Sequence, residues 1–307
     1  MALGSLAMES NDARIARSGQ LSRGSFSGSS QRIFRAIHEN PVYRKACLQL
    51  RTIFITGTDT GVGKTVLTSL LLCHLRQSGH PAFALKPFCS GGRADAQLLH
   101  DLQNSDLTLD QVNPFYFREP LAPLVAARLN HRKISLEQTL KHIHQICTFL
   151  LKPHCPKTAH PNNPRIQQST NPMLLIEGAG GLLSPLGEGF TAADIIKRLH
   201  CEVFVATANR LGAINHCLLT KNQLQAVGAK VITFVLFDLA PGLSRPRTTN
   251  HGPRTNPKIL AELIHPTPLF HLPHLPKITK SSGKTDLKPL LITCGKELKK
   301  TLAQILQ

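Results

Sequence analysis

Residues 51–65 read RTIFITGTDTGVGKT, and the fold turns on this stretch. It opens with a short apolar run, Ile53–Ile55, of the kind a buried strand carries. A glycine-bearing turn follows and closes on Lys64 and Thr65, after which the leucine-rich segment Val66–Leu75 reads as a helix. Strand, glycine loop, Lys-Thr and helix make the layout of a phosphate-binding loop. Glycines let backbone N–H groups converge on phosphate oxygens, and the helix N-terminus adds partial positive charge. Lys64 would reach the β- and γ-phosphates, and the Thr65 hydroxyl would bind Mg²⁺. Gly57 and Gly63 enclose five residues, one more than the usual pattern. The alternative for such a stretch is a tight βα turn; the strand-to-helix context favours phosphate binding.

Outward from the loop, strands and helices alternate. Ala82–Leu85 and Met173–Ile176 read as strands, as do Cys201–Ala208 and Lys230–Phe237; Pro268–Pro273 reads as a last short strand or edge. Between them lie helical stretches at Ala96–Leu102, Pro123–Leu129, Ser135–Leu151 (with Ser135 as cap), Asp194–Leu199 and from about Arg210 to Ala226. Residues 86–92 read as a loop, and 113–120 as irregular and Pro-punctuated. The expectation is an α/β fold, a doubly wound, mostly parallel sheet with helices on both faces. Ligands of such sheets bind beyond the C-terminal strand ends, and Lys64, Lys86 and Glu177 all lie just past such ends.

The chain has 307 residues, 41% of them apolar, with eight cysteines in no CxxC pair. Most cysteines sit in apolar segments, which suits a reducing cytosol better than a disulfide framework. No apolar run approaches a membrane span. The formal charge of +18 raises nucleic-acid binding. The surplus, however, lies largely in a Pro-rich loop (Arg245, Arg247, Arg254, Lys258) and a tail (Lys277 to Lys300), without interleaved aromatics to stack bases. The expectation is a solvated basic surface, no specific nucleic acid and no membrane.

Residues 1–48 are rich in Ser, Gly and Arg. A cleaved organelle-targeting peptide, a disordered arm or sequence upstream of an internal start at Met8 would share that composition; a cytoplasmic enzyme with an N-terminal extension is the reading adopted. The expected domain is 49–276, with inserts at 152–172 and 241–257 and a basic C-terminal tail, 277–307, that could end in a helix. His142, His144, His154, His160 and Cys155, in or near the first insert, match no zinc signature.

The blocks ITGTDTGVGKT (55–65), ALKPFCSG (84–91), ADAQLL (94–99), NP (113–114), EPLAP (119–123), LIEGAGGLLSPL (175–186) and RLGAINHCLLT (210–220) resemble the dethiobiotin synthetases, in the family's order. The resemblance implies a P-loop NTPase fold and an ATP- and Mg²⁺-dependent ring closure of 7,8-diaminononanoate with CO₂, a step of biotin synthesis, in a homodimer. It implies that Lys64 and Lys86 are catalytic. Gly61, Val62, Gly63, Thr65 and Val66 would cradle phosphates. Thr65, Asp95 and Glu177 would hold Mg²⁺; Gly178, Ala179 and Gly180 would line the nucleotide. Ser90 would bind the substrate, and Asn215, at a helix start, its carboxylate. Asp238, Leu272, Pro273 and His274 would meet the base, although Phe237 stands where the family commonly has an amide. Read without the resemblance, Lys86 could be a surface lysine, Asp95 a helix cap, Glu177 a partner for a helix N-terminus and Ser90 a loop serine. A partition-type ATPase would carry a signature lysine early in the loop, where this chain has Asp59. A nucleic-acid module leaves Lys86, Asp95 and Glu177 unexplained, and a glutamine-dependent amide ligase needs a further domain.

Overall fold

A computed structural model describes residues 49–152, 172–238, 252–274, 280–281, 284–285 and 295–307. The chain runs β1 (Arg51–Gly57), α1 (Lys64–Gln77), β2 (Ala82–Leu85), β3 (Phe88–Ser90), α2 (Ala94–Leu102), α3 (Leu109–Val112), β4 (Phe115–Phe117), α4 (Pro123–Leu129) and α5 (Leu136–Leu150). It continues through β5 (Met173–Glu177), β6 (Pro185–Gly187), β7 (Phe190–Thr191), α6 (Ala192–Leu199), β8 (Glu202–Asn209), α7 (Ala213–Ala226), β9 (Ile232–Asp238), α8 (Gly252–Ile264) and β10 (Leu269–Leu272). A hairpin, β11 (Lys280–Ser281) and β12 (Lys284–Thr285), and helix α9 (Gly295–Ile305) complete it.

Six strands form one parallel sheet in the order β10-β9-β8-β1-β5-β2. Its inner strands are buried on both faces, which explains why they read as unbroken apolar runs rather than alternating ones. From β1 the chain steps towards the β2 edge, and from β8 it steps the opposite way through β9 to β10. Right-handed crossovers therefore set α1 on one face and α7 and α8 on the other. The reversal falls between β1 and β8, where open α/β sheets bind ligands.

Helix α1 is buried almost all round. The sheet covers one side; α2 and α9 pack against it as well. This is the reason for its leucine-rich, weakly amphipathic sequence. The basic tail thus ends in a helix that joins the core through Leu298, Leu302 and Ile305, while Lys296, Lys299 and Lys300 stay exposed.

Three local expectations are corrected. Residues 88–90, expected as loop, form β3, which pairs in parallel with β4, inside the segment expected to be irregular. The aromatic rings supply the reason: Phe88 stacks on Phe115 with centroids 4.9 Å apart. The second insert, expected as loop to Pro257, is helical from Gly252. Pro253 falls in the first turn, where no N–H is needed, and Pro257 is carried inside the helix. Residues 1–48, 153–171 and 239–251 lie outside the described residues, and with them His154, Cys155, His160, Arg245 and Arg247. Among the described residues no helix is long and apolar enough to cross a membrane.

Candidate active site

Strand register assembles the site. Ile55 pairs with Glu177, and Leu85 pairs with Ile176. Lys86, the next residue after Leu85, therefore leaves β2 beside Glu177, while the loop after β1 leaves on the other side of Glu177. A cavity of about 690 Å³ opens there, bounded by the 60–66 loop, Lys86, Asp95, Glu177 and the Pro120–Pro123 segment.

Glu177 is the centre of this arrangement and has no solvent exposure (0%). Its Oε1 accepts from Lys86 Nζ at 2.5 Å and from Thr65 Oγ1 at 2.6 Å. Its Oε2 is buried and has no hydrogen-bond partner among the described residues. Lys86 Nζ also lies 3.2 Å from Asp95 Oδ2. Burial works to lower the basicity of Lys86, but the Glu177 and Asp95 carboxylates outweigh it and hold the ammonium above the ordinary lysine value. Lys64 has the opposite balance. Burial, reinforced by the positive charge of Lys86, brings it down to about 8. Its Nζ donates to the Asp59 carbonyl at 2.8 Å, so the loop's own backbone holds the phosphate lysine. Burial likewise pushes the Cys89 thiol, on the cavity wall, up to about 11.

The donor set fits a hard divalent cation. Thr65, Glu177 and the half-exposed Asp95 line one cavity, and the Thr65 hydroxyl already meets the Glu177 carboxylate. Two carboxylates and a hydroxyl fall short of a closed cage, as suits an ion that keeps water and phosphate ligands. Among the described residues no cluster of three or more His, Cys, Asp and Glu could hold a metal. His142 instead shares a hydrogen bond with the Gln111 carbonyl at 2.8 Å.

A family model described as an AAA domain matches residues 51–282. The ATP-dependent dethiobiotin synthetase BioD of Bacillus licheniformis is 33% identical over 218 residues, covering 69% of this chain and 80% of that protein. The chain belongs to the dethiobiotin synthetase family. The BioD protein of Akkermansia muciniphila is 32% identical, over 70% of this chain and 93% of its own. That of Methanocaldococcus jannaschii is 35% identical, over 58% and 76%. Among solved structures, a MinC:MinD cell division protein complex of Aquifex aeolicus aligns at TM-score 0.49 and 13% identity, over 83% of this chain and 96% of that one.

Of the residues singled out from the dethiobiotin synthetase resemblance, Gly61, Gly63, Lys64, Thr65, Val66, Lys86, Ser90, Asp95, Glu177, Ala179 and Gly180 line the one cavity. Val62 points inward; its methyl sits 2.7 Å from where a Cβ on Gly57 would lie. Gly178 packs on the Phe54 ring. Asn215, Asp238, Leu272, Pro273 and His274 do not line the cavity. Asp238 and Leu272 end the strands on the far side of β1, where Leu272 pairs with Phe237. Asp238 Oδ1 accepts from Asn209 Nδ2 at 2.8 Å and bonds His271 Nε2 at 2.9 Å. Asn215 is exposed in the first turn of α7, which starts after Gly212 without a side-chain cap.

Three contributors went unassigned in the sequence. Arg210 Nη2 donates to Asp59 Oδ2 at 2.6 Å and ties the phosphate loop to the end of β8. The Thr60 N–H, then Arg210, hold the Asp59 carboxyl below its usual range. Pro120 and Ala122 line the same cavity as Lys86. All three lie within quoted blocks, RLGAINHCLLT and EPLAP, but none of these residue types announces a role by itself.

Proposed function

We propose that this chain catalyses the ATP-dependent ring closure of 7,8-diaminononanoate with CO₂ to dethiobiotin. The observation that carries the reading is the convergence of Lys86 and Thr65 on the buried Glu177 carboxylate beside the phosphate loop, with Asp95 on the same Lys86 ammonium. One substrate amine adds to CO₂ and loses a proton, giving a carbamate. A carbamate oxygen attacks the γ-phosphorus of ATP and displaces ADP, giving a carbamic–phosphoric anhydride. The second amine attacks the carbamate carbon, inorganic phosphate leaves, and the cyclic urea forms.

Phosphoryl transfer asks a protein for positioning and charge more than for covalent help. Backbone N–H groups of Gly61–Val66 would bind the β- and γ-phosphates, with Lys64 on the transferring group. Thr65, Asp95 and Glu177 would hold Mg²⁺, which when bound spreads the charge of the phosphates. Lys86, held cationic by its two carboxylates, would neutralise the carbamate. Ser90 would orient the diamine. Gly178–Gly180 would line the nucleotide, and Asp238 with Leu272–His274 would meet the base. The uncapped N-terminus of α7, with Asn215, would take the substrate carboxylate, supplied across a homodimer interface. The test is product formation: phosphate release and a dethiobiotin mass that require ATP, bicarbonate and the diamine together. ATP turnover indifferent to the diamine would refute the assignment.

A further inference from the structure

Strand β2 is an outer strand of the sheet, so among the described residues one of its backbone edges has no strand to pair with. Buried N–H and C=O groups on such an edge need other partners. Side chains supply several of them: Arg76 Nη1 donates to the Ala82 carbonyl at 3.1 Å, and two amides serve the positions beyond it. Gln103 brackets Ala84, accepting its N–H at Oε1 and donating Nε2 to its carbonyl, both at 3.1 Å. Further along, the Lys86 N–H donates to the Val112 carbonyl at 2.9 Å. Asn113 Nδ2 donates to the Lys86 carbonyl at 2.8 Å and to the Pro87 carbonyl at 3.3 Å. Both amide residues are fully buried, at 0% exposure.

They differ in what else they hold. Gln103 serves the middle of the strand. Asn113 reaches a second catalytic element: its Oδ1 accepts from Arg93 Nε at 3.0 Å, and its carbonyl accepts from Arg93 Nη2 at 2.8 Å. Arg93 is the N-cap residue of α2, two positions before Asp95. The Asn113 N–H is used as well, donating to the Leu109 carbonyl at 2.8 Å. One buried side chain thus joins the strand end that carries Lys86 to the helix start that carries Asp95.

We propose that Asn113 is a positioning residue of the active site: through the Lys86 and Pro87 carbonyls and the Arg93 guanidinium, it sets the Lys86 ammonium against Asp95 and Glu177. The inference rests on the reading of Lys86 as the group that meets the carbamate. Gln103 is its internal comparison, the same kind of staple on the same edge but remote from the chemistry.

The experiment compares Asn113→Ala, Asn113→Asp and Gln103→Ala with the parent. Asn113→Asp keeps the shape and the acceptor for Arg93 but turns a carboxylate oxygen towards two carbonyls. Two readouts are taken: steady-state kinetics, and the rate of Lys86 acylation by an amine-reactive ester, followed by peptide mass spectrometry. The second needs no turnover. Both Asn113 variants are expected to lose roughly 30–100-fold in kcat, as a displacement of about 1 Å at a reacting group does. Their KM for ATP should move less than about threefold, since the phosphate loop is untouched. Lys86 acylation should rise about tenfold or more once its strand end is released. Gln103→Ala should lose stability while kcat and Lys86 labelling stay within about twofold of the parent. Equal kcat and equal Lys86 labelling in the Asn113 and Gln103 variants would overturn the inference. A parent without diamine-dependent turnover would overturn the functional reading instead, and labelling alone would then decide Asn113. Arg93→Met, at a partly exposed side chain, keeps the test decisive if the Asn113 variants do not fold. It should raise Lys86 labelling in the same direction, and unchanged labelling there would overturn the inference.

Discussion

Replacing Lys86 by methionine removes the ammonium and keeps most of the stem volume. The obvious consequence is loss of turnover, but the geometry demands a second one. Lys86 is 7% exposed and Glu177 0%. Without the ammonium, the Glu177 carboxylate keeps, among the described residues, one hydrogen bond, from Thr65 Oγ1, and no partner for its other oxygen. Breaking a buried ion pair from one side leaves an uncompensated charge and costs about 3–5 kcal/mol. That is a large share of the roughly 5–15 kcal/mol by which native proteins are stable. With a urea slope of about 2–3 kcal/mol/M, the unfolding midpoint should fall by about 1–2.5 M. The assay is equilibrium urea unfolding at neutral pH with divalent cations chelated, so that no added ion takes the place of the ammonium. Lys86→Met/Glu177→Gln removes both charges and should recover most of the loss without restoring turnover. A Lys86→Met midpoint within about 0.3 M of the parent, or a double variant no more stable than the single one, would refute the buried-pair argument.

The low value of Lys64, about 8, has two consequences of known sign. ATP affinity should weaken by about tenfold per pH unit above 8, because the free protein then lacks the proton that pairs with phosphate; calorimetry at pH 7, 8 and 9 reads this, and Lys64→Arg should flatten it. Folding stability should carry the burial penalty of the Lys64 ammonium in full below pH 8 and lose that penalty as pH rises from 8 towards 10.5, since the folded state there binds fewer protons than the unfolded one. Gly63→Ala should abolish measurable ATP binding: φ is 103°, and the new Cβ would lie 3.0 Å from the Phe237 ring, so the loop would have to move. Equilibrium dialysis with ATP checks this, and binding within about twofold of the parent would contradict it. Ser90→Ala should raise the KM for the diamine by about fivefold, the worth of one hydrogen bond, with little change in the KM for ATP.

Much of the site was legible one residue at a time. The 55–65 block named Lys64 and Thr65 through the physics of phosphate binding; Lys86 and Glu177 followed from the resemblance and from their places just beyond apolar runs, and Asp95 from the resemblance. Local signals were also enough for the Ser135 cap, which the structure completes as a capping box with Gln138. They were not enough for β3 and β4, whose strand character comes from the Phe88–Phe115 contact across 27 residues of chain. Nor did they reach α8, where proline content argued for a loop to Pro257, and burial of one apolar side decided otherwise.

By itself the sequence determined which chemical groups exist and that each stands at the end of an element, because glycine spacing and apolar periodicity are local properties. It did not determine neighbours. Only the tertiary structure inserted β5 between β1 and β2, and that order alone puts the Glu177 carboxylate between the phosphate loop and Lys86. The physical reason is that strand pairing is chosen by long-range packing of both sheet faces, and parallel neighbours are joined by crossovers whose destinations no short window of sequence encodes.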